Sequence, residues 1–242
     1  MAIVAGTKAE TVISVLHRIP EKQRKKVTEI TLDMAGNMEL ICKRCFPQAT
    51  RVTDRFHVQK LATEALQEMR IKYRWEAMDA ENEAMEQSKK TGRPFQAEVL
   101  HNGDTIKQLL ARSRYVLYKK PSDWTDSQKD CAELLFGRFP DLRTAYGLSM
   151  GLSRIFENTK DKVFGLANLA RWHEKVRQTG FKAFNTIARS IQNHTTILNY
   201  FDNRSTNASA ESFNAKIKAF RTQFRGMKNI EFFLYRLTQL YA

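Results

Sequence analysis

No run of apolar residues in this sequence approaches the roughly 18 needed to cross a bilayer as a helix, which excludes a helical membrane span. No basic-then-apolar leader with a small-residue cleavage site opens it, so a cytoplasmic protein is expected. Cysteine is scarce: Cys42, Cys45 and Cys131 are an odd number and do not make a disulfide framework. Cys42 and Cys45 have the spacing of half a zinc knuckle, but no second Cys or His pair follows to complete four ligands. On a helix the pair reads as one buried and one partly exposed thiol. Internal repeats and low-complexity tracts are absent. Acid is in deficit: 26 Asp and Glu against 40 Lys and Arg leave a formal charge of +14 and a pI near 9.8. Such an excess favours a polyanionic partner, nucleic acid being the commonest, although ribosome-associated and membrane-surface proteins are basic too.

The 242 residues suffice for one large domain, or a domain with an insertion, around a substantial core. Ala2–Ala5 reads as the end of a strand, and a helix follows from Thr7 or Lys8 to Leu16, stopped by Pro20. The organising stretch is Val27–His57, where two β-branched runs flank an amphipathic segment, giving strand, helix and strand. Asp33 ends the first run and Asp54 the second. In a parallel sheet both acids stand at strand carboxyl ends, on the rim where ligands gather. Gly36-Asn37 turns the chain just after Asp33.

From Phe56 to about Lys90 there is no proline or glycine, and Val58, Leu61, Ala65, Met69 and Tyr73 recur at helical spacing. A helix of that length is roughly 50 Å long at 1.5 Å per residue, so it must leave the sheet. It opens an all-helical insertion over residues 58–202, with further helices at Ile106–Tyr118, from Thr125-Asp-Ser-Gln128 (a reciprocal capping box) to Phe139, from Pro140, and over Lys160–Gln178 and Phe181–Phe201. In the last region Phe213, Ile217, Phe220 and Phe224 are spaced to face a core. Glu211 falls in the first turn if Asn207 caps that helix. A closing helix is expected over Asn229–Tyr241.

Thr31-Leu32-Asp33-Met34, Phe46-Pro47-Gln48-Ala49, the run Val52-Thr53-Asp54-Arg55-Phe56-His57-Val58-Gln59-Lys60, and the run from Thr206 through Glu211 to Lys218 together resemble the catalytic domain of insertion-sequence transposases. The group is the DDE type with an RNase H-like fold, in the ISL-three branch, and the resemblance covers essentially the whole chain. It implies an α/β, mostly helical protein whose partial RNase H-like sheet (residues 1–57) is interrupted by a large all-α insertion (58–202) and completed by C-terminal helices (203–242). The implied activity is metal-dependent phosphodiester cleavage and strand transfer, with Asp33 and Glu211 as ligands for Mg2+ or Mn2+. Two such ions need converging carboxylates, and magnesium prefers oxygen ligands. Asp54 and His57 match the Asp-or-Cys, two residues, His signature that resembles a feature of the group, and they join the expected catalytic set. Lys216, Lys218, Arg221, Arg225 and Arg204 are the expected DNA contacts. The partners implied are DNA at terminal inverted repeats, a homo-oligomer, or a separate N-terminal fragment, in a bacterial, nucleoid-associated protein with no membrane partner. The family's first catalytic Asp has no counterpart upstream of Asp33, so a truncated product, inactive alone and with its metal unbound, is expected.

Each of these residues also has a plainer reading. Asp33 can serve the turn before Gly36, Glu211 can be a solvated helix residue, and His57 can hydrogen-bond Asp54 or backbone to fix the strand-to-helix bend. The basic residues can form a solvated face. Trp75, Trp124 and Trp172 read as core residues of the insertion, with stacking on unpaired bases as the other use. The competing function is a non-catalytic, basic helical DNA-binding protein or transposition regulator. No recognisable RNA-binding module is present.

Overall fold

The computed structural model describes residue 4, residues 6–224, residue 226 and residues 229–241. It is mostly helical with a small parallel sheet, and the chain divides into two compact units, residues 1–57 with 194–242, and residues 58–193. The strand expected at Ala2–Ala5 falls outside the described residues, apart from Val4, which is in no strand.

In the first unit, α1 (Ala9–Leu16) and α2 (Glu21–Arg24) lead into β1 (Glu29–Leu32), α3 (Gly36–Cys45) and β2 (Thr50–Thr53). The strands pair in parallel, Glu29 opposite Thr50 through Leu32 opposite Thr53, and are the only named strands among the described residues. A two-stranded sheet is marginal unless something packs on it. Here Ala9 and Ile13 of α1 bury against Ile41 and Cys45 of α3, with Val12, Leu16, Leu40 and Phe46 around them. Val52 is fully enclosed, a burial that contributes about 1.5–3 kcal/mol. Arg24 Nη1 donates to the Cys45 carbonyl at 2.7 Å, tying α2 to the end of α3. Cys42 and Cys45 are both buried, so neither thiol is the partly exposed one expected.

The long helix is α4 (Arg55–Thr91), 37 residues, about 55 Å at 1.5 Å per residue. It opens in the first unit and continues into the second, where α5 (Ile106–Val116), α6 (Asp126–Arg138), α7 (Pro140–Asn158), α8 (Lys162–Thr179) and α9 (Lys182–Asn193) pack each against the next. Thr125 forms the expected capping box with Gln128, and Thr105 forms a second with Gln108. Gly180 ends α8 at φ +70, a left-handed conformation that suits glycine. Trp172 is buried and donates to the Leu148 carbonyl at 2.8 Å, and Trp124 stacks on Tyr146 with centroids 5.6 Å apart. Trp75 departs from the core expectation at 59% exposed.

The helix expected over Phe181–Phe201 stops at Asn193. Residues 194–203 belong to the first unit, as a 3-10 turn (Thr195–Asn199) and the short α10 (Tyr200–Asn203). Polar side chains draw them there: the Thr196 and Thr53 hydroxyls are 2.8 Å apart, and Asn199 Nδ2 donates to the Arg51 carbonyl at 2.7 Å. That segment covers the outer edge of β2. Two C-terminal helices follow, α11 (Ala208–Gln223) and α12 (Ile230–Tyr241). Of the four residues expected to face a core, Phe220 alone is buried, between Phe224 (4.6 Å) and Phe233 (5.4 Å). Ile217 and Phe224 are half-buried and Phe213 is exposed.

Candidate metal centre

Three groups from two segments distant in sequence meet in the first unit. One ligand atom each from Asp54, His57 and Glu211 lies within 4.8 Å of the other two. The backbone explains the meeting. Asp54 follows the last residue of β2, and its amide still donates to the Leu32 carbonyl at 2.9 Å, so the sheet ladder fixes it. Its Oδ1 accepts from the Phe56 amide at 3.0 Å, satisfying an otherwise free donor in the first turn of α4. His57 stands three residues on, the spacing that brings two side chains to one side of a helix.

Glu211 arrives from more than 150 residues away. The loop before α11 is held at both ends of the sheet. Asn203 Nδ2 and the Ser205 hydroxyl donate to the Glu29 carboxylate at the start of β1, and the Asn207 amide donates to Asp54 Oδ2 at 3.3 Å. The Glu211 amide donates to the Asn207 carbonyl at 2.9 Å, the first helical bond of α11. Asp54 and Glu211 thus share the N-terminal end of α11, where the helix dipole favours negative charge. Asn207 stands at the cap position by its backbone, with no side-chain capping bond.

Asp54 is 1% exposed, and its carboxylate's partners among the described residues are two backbone amides, with no lysine or arginine. Burying a carboxylate costs several kcal/mol unless charge compensates it. The imidazole of His57, half-buried, and the carboxylate of Glu211, exposed, make no hydrogen bond or ion pair among the described residues. At the bend after β2 the Asp54 carboxylate accepts from the Phe56 amide. Two carboxylates and an imidazole with this spacing fit a divalent cation.

Asp33 behaves like Asp54 on the neighbouring strand: it follows Leu32, opposite Thr53, and its Oδ1 accepts from the Ala35 amide at 3.0 Å. It does not join the three-residue group. Lys216, Lys218 and Arg221 are exposed on α11. Arg204 ends α10 in a left-handed conformation (φ 56), in the loop anchored to Glu29. Arg225 lies outside the described residues. The contributions of Glu29, Ser205 and the Asn207 backbone have no signal in the sequence, since each is a contact between segments more than 150 residues apart.

Residues 1–237 match the family model of ISL3-type DDE transposases, whose description is "Transposase". The chain belongs to this family. Among curated transposases it resembles that of insertion sequence IS1557 from Mycobacterium tuberculosis, 29% identical over 196 residues, which are 80% of this chain and 43% of that protein. It also resembles the IS1001 transposase of Bordetella parapertussis, 21% identical over 234 residues, 96% of this chain and 52% of that one. The chain spans about half the length of the curated relatives it matches. No solved structure matches it. DDE transposases generally use divalent metal, and this member has an Asp–His–Glu group able to hold one. No described helix is long and apolar enough to cross a membrane.

Proposed function

We propose that the chain supplies the metal-binding part of a transposase's catalytic apparatus, binding DNA at insertion-sequence terminal repeats and taking part in phosphodiester cleavage and strand transfer. The observation that carries the reading is the meeting of Asp54, His57 and Glu211 within a chain matched by the family almost end to end. On this reading β1 and β2 are late strands of an RNase H-like core, and residues 58–193 are a helical insertion. The carboxylates of Glu211 and Asp54, with the His57 imidazole beside them, would hold a divalent ion, Mg2+ or Mn2+, and Asp33 would add charge from the adjacent strand end. Such an ion activates a water or a 3′ hydroxyl and stabilises the leaving oxygen.

The protein's own groups then have separate tasks. The Asp54 carboxylate is immobilised by two backbone amides, so its position costs no rearrangement on binding. Glu211 is exposed on the first turn of α11 and would supply the solvent-facing carboxylate of the set. Lys218 follows Glu211 by seven residues, two helical turns, and so lies within about 20° of the same face and about 10 Å away. It is placed to hold a backbone phosphate leading to the site. Lys216, five residues on, points about 140° away.

Affinity for DNA ends with and without Mg2+ or Mn2+ at constant ionic strength tests this. Metal is expected to tighten binding by about 5- to 150-fold, the usual range for coupled sites, and Glu211→Gln to remove that gain. Binding that follows ionic strength alone, with Glu211→Gln unchanged, would make the chain a plain basic DNA-binding protein.

A further inference from the structure

We propose that the exposed face of α4 from Glu64 to Lys89 pairs, antiparallel, with the same face of a second copy of this chain. The proposal goes beyond the reading above and needs neither metal nor DNA.

The helix outruns what it packs on. Its buried residues end at Arg70, and none from Ile71 to Thr91 is buried. Helical stability comes mostly from packing an apolar face, so this stretch lacks its main support. It nevertheless carries such a face. Ile71, Trp75, Met78 and Met85 fall on the alternating positions of a heptad seam, with Asn82 at the one remaining. Ile71 and Trp75 are exposed, and Met78 and Met85 are half-buried. Glu64 and Glu68 continue the line towards the start of α4 and Lys89 towards its end, all three exposed, so the face is open along its length. All of it lies in the second unit.

Charge selects both the occupant and its direction. The positions flanking the seam are basic in the first half, Lys72 and Arg74, and acidic in the second, Asp79, Glu81 and Glu86. A second copy running the opposite way complements that order. With Trp75 set against Met78 of the second copy, Ile71 meets Asn82, Lys72 faces Asp79, Arg74 faces Glu81 and Glu64 faces Lys89, each pair occurring twice by symmetry. Parallel pairing would instead set Glu64, Glu68 and Lys89 each against its own like. Asp79 has no ion pair among the described residues, and Lys72 has one, with Glu76 one turn along at 3.7 Å. Glu81 already pairs with Lys107 at 2.7 Å, so Lys72 and Asp79 carry most of the selection. The single polar residue in the seam, Asn82, fixes the register at a cost in affinity.

Sedimentation equilibrium of the full chain tests this. The seam is short, so a dimer is expected with a Kd of about 1–100 µM. Asp79→Lys should weaken it at least about tenfold, because like charges then face each other twice, and adding Lys72→Asp to the same chain should restore it. Both residues are exposed, so neither change touches the core, and the restored dimer shows that the chain still folds. Cross-linking reads the direction. Mixed Ile71→Cys and Asn82→Cys chains should form an intermolecular disulfide under mild oxidation that neither forms alone, since identical positions lie about 16 Å apart in the antiparallel pair. The natural thiols are buried and do not compete. The proposal is overturned if the chain stays monomeric to about 200 µM, twice the weakest expected Kd. It is equally overturned if Asp79→Lys dimerises as tightly as the natural chain, or if Ile71→Cys cross-links to itself. A monomer whose DNA affinity falls on Lys72→Asp would make this face a nucleic-acid contact in place of a dimer seam.

Discussion

At the scale of single residues, Asp54 holds the arrangement together. It ends β2, satisfies the start of α4 through the Phe56 amide, and receives the Asn207 amide at the start of α11. Asp54→Ala removes both acceptors and leaves two amides unsatisfied, at about 1–3 kcal/mol for each that stays buried. Urea unfolding should show a loss of about 2–4 kcal/mol, with Asp54→Asn milder because its amide oxygen still accepts one bond. An Asp54→Ala protein as stable as the natural chain would show that these bonds do not organise the site. Asp33 and Asp54 were legible as strand-end acids because β-branched runs precede both, and Glu211 was legible as a first-turn acid. That Glu211 meets Asp54 and His57 was not derivable from local pattern, since a backbone amide at Asn207 makes the link across 153 residues.

At the scale of elements, local chemistry was read where the whole signal lies within a few residues. The Thr125 capping box, the α4 run without glycine or proline, and the stop at Gly180 are of that kind. Thr125→Ala should cost about 1 kcal/mol, measured as a lower urea midpoint at unchanged slope; no shift would mean that α6 is held by packing alone. The end of α9 was missed because apolar spacing continues through Ile197, Tyr200 and Phe201 while the Thr196 and Asn199 side chains pull the chain to β2. The helical unit has an alkaline weakness. Burial pushes the Cys131 thiol up, and burial first, then the bond to Asp141, pushes the Tyr73 hydroxyl up to about 12; burial pushes Tyr146 to about 12 as well. These groups ionise first in the unfolded chain, so that state binds fewer protons and stability falls as pH rises past the ordinary thiol and phenol ranges. Thermal unfolding followed from pH 8 to 11 should show a falling midpoint, and a flat profile would contradict the burial of these groups. All three thiols are buried and raised, so they should react with a thiol reagent only after denaturation.

At the scale of the whole molecule, the excess of 14 positive charges is unevenly distributed. Glu76, Asp79, Glu81, Glu83 and Glu86 fall in α4 with no lysine or arginine between them, whereas α11 carries Lys216, Lys218 and Arg221. Composition alone therefore pointed to a polyanion without saying which surface meets it. Helical geometry sorts the α11 residues. Lys218→Ala should weaken DNA binding and lower the log–log salt slope by about 0.9, the loss of one phosphate contact, while Lys216→Ala should leave the slope unchanged. Equal effects of the two variants would place the DNA elsewhere.

The central claim is that Asp54, His57 and Glu211 surround a single cation. Crystals of the chain soaked in Zn2+ and measured across the zinc absorption edge test it without reference to activity. The account predicts one anomalous peak at about 2.0–2.2 Å from a ligand atom of each of the three residues. A peak bound by Asp33 and Glu211 with His57 turned away, or zinc bound only at other surface histidines, would contradict it.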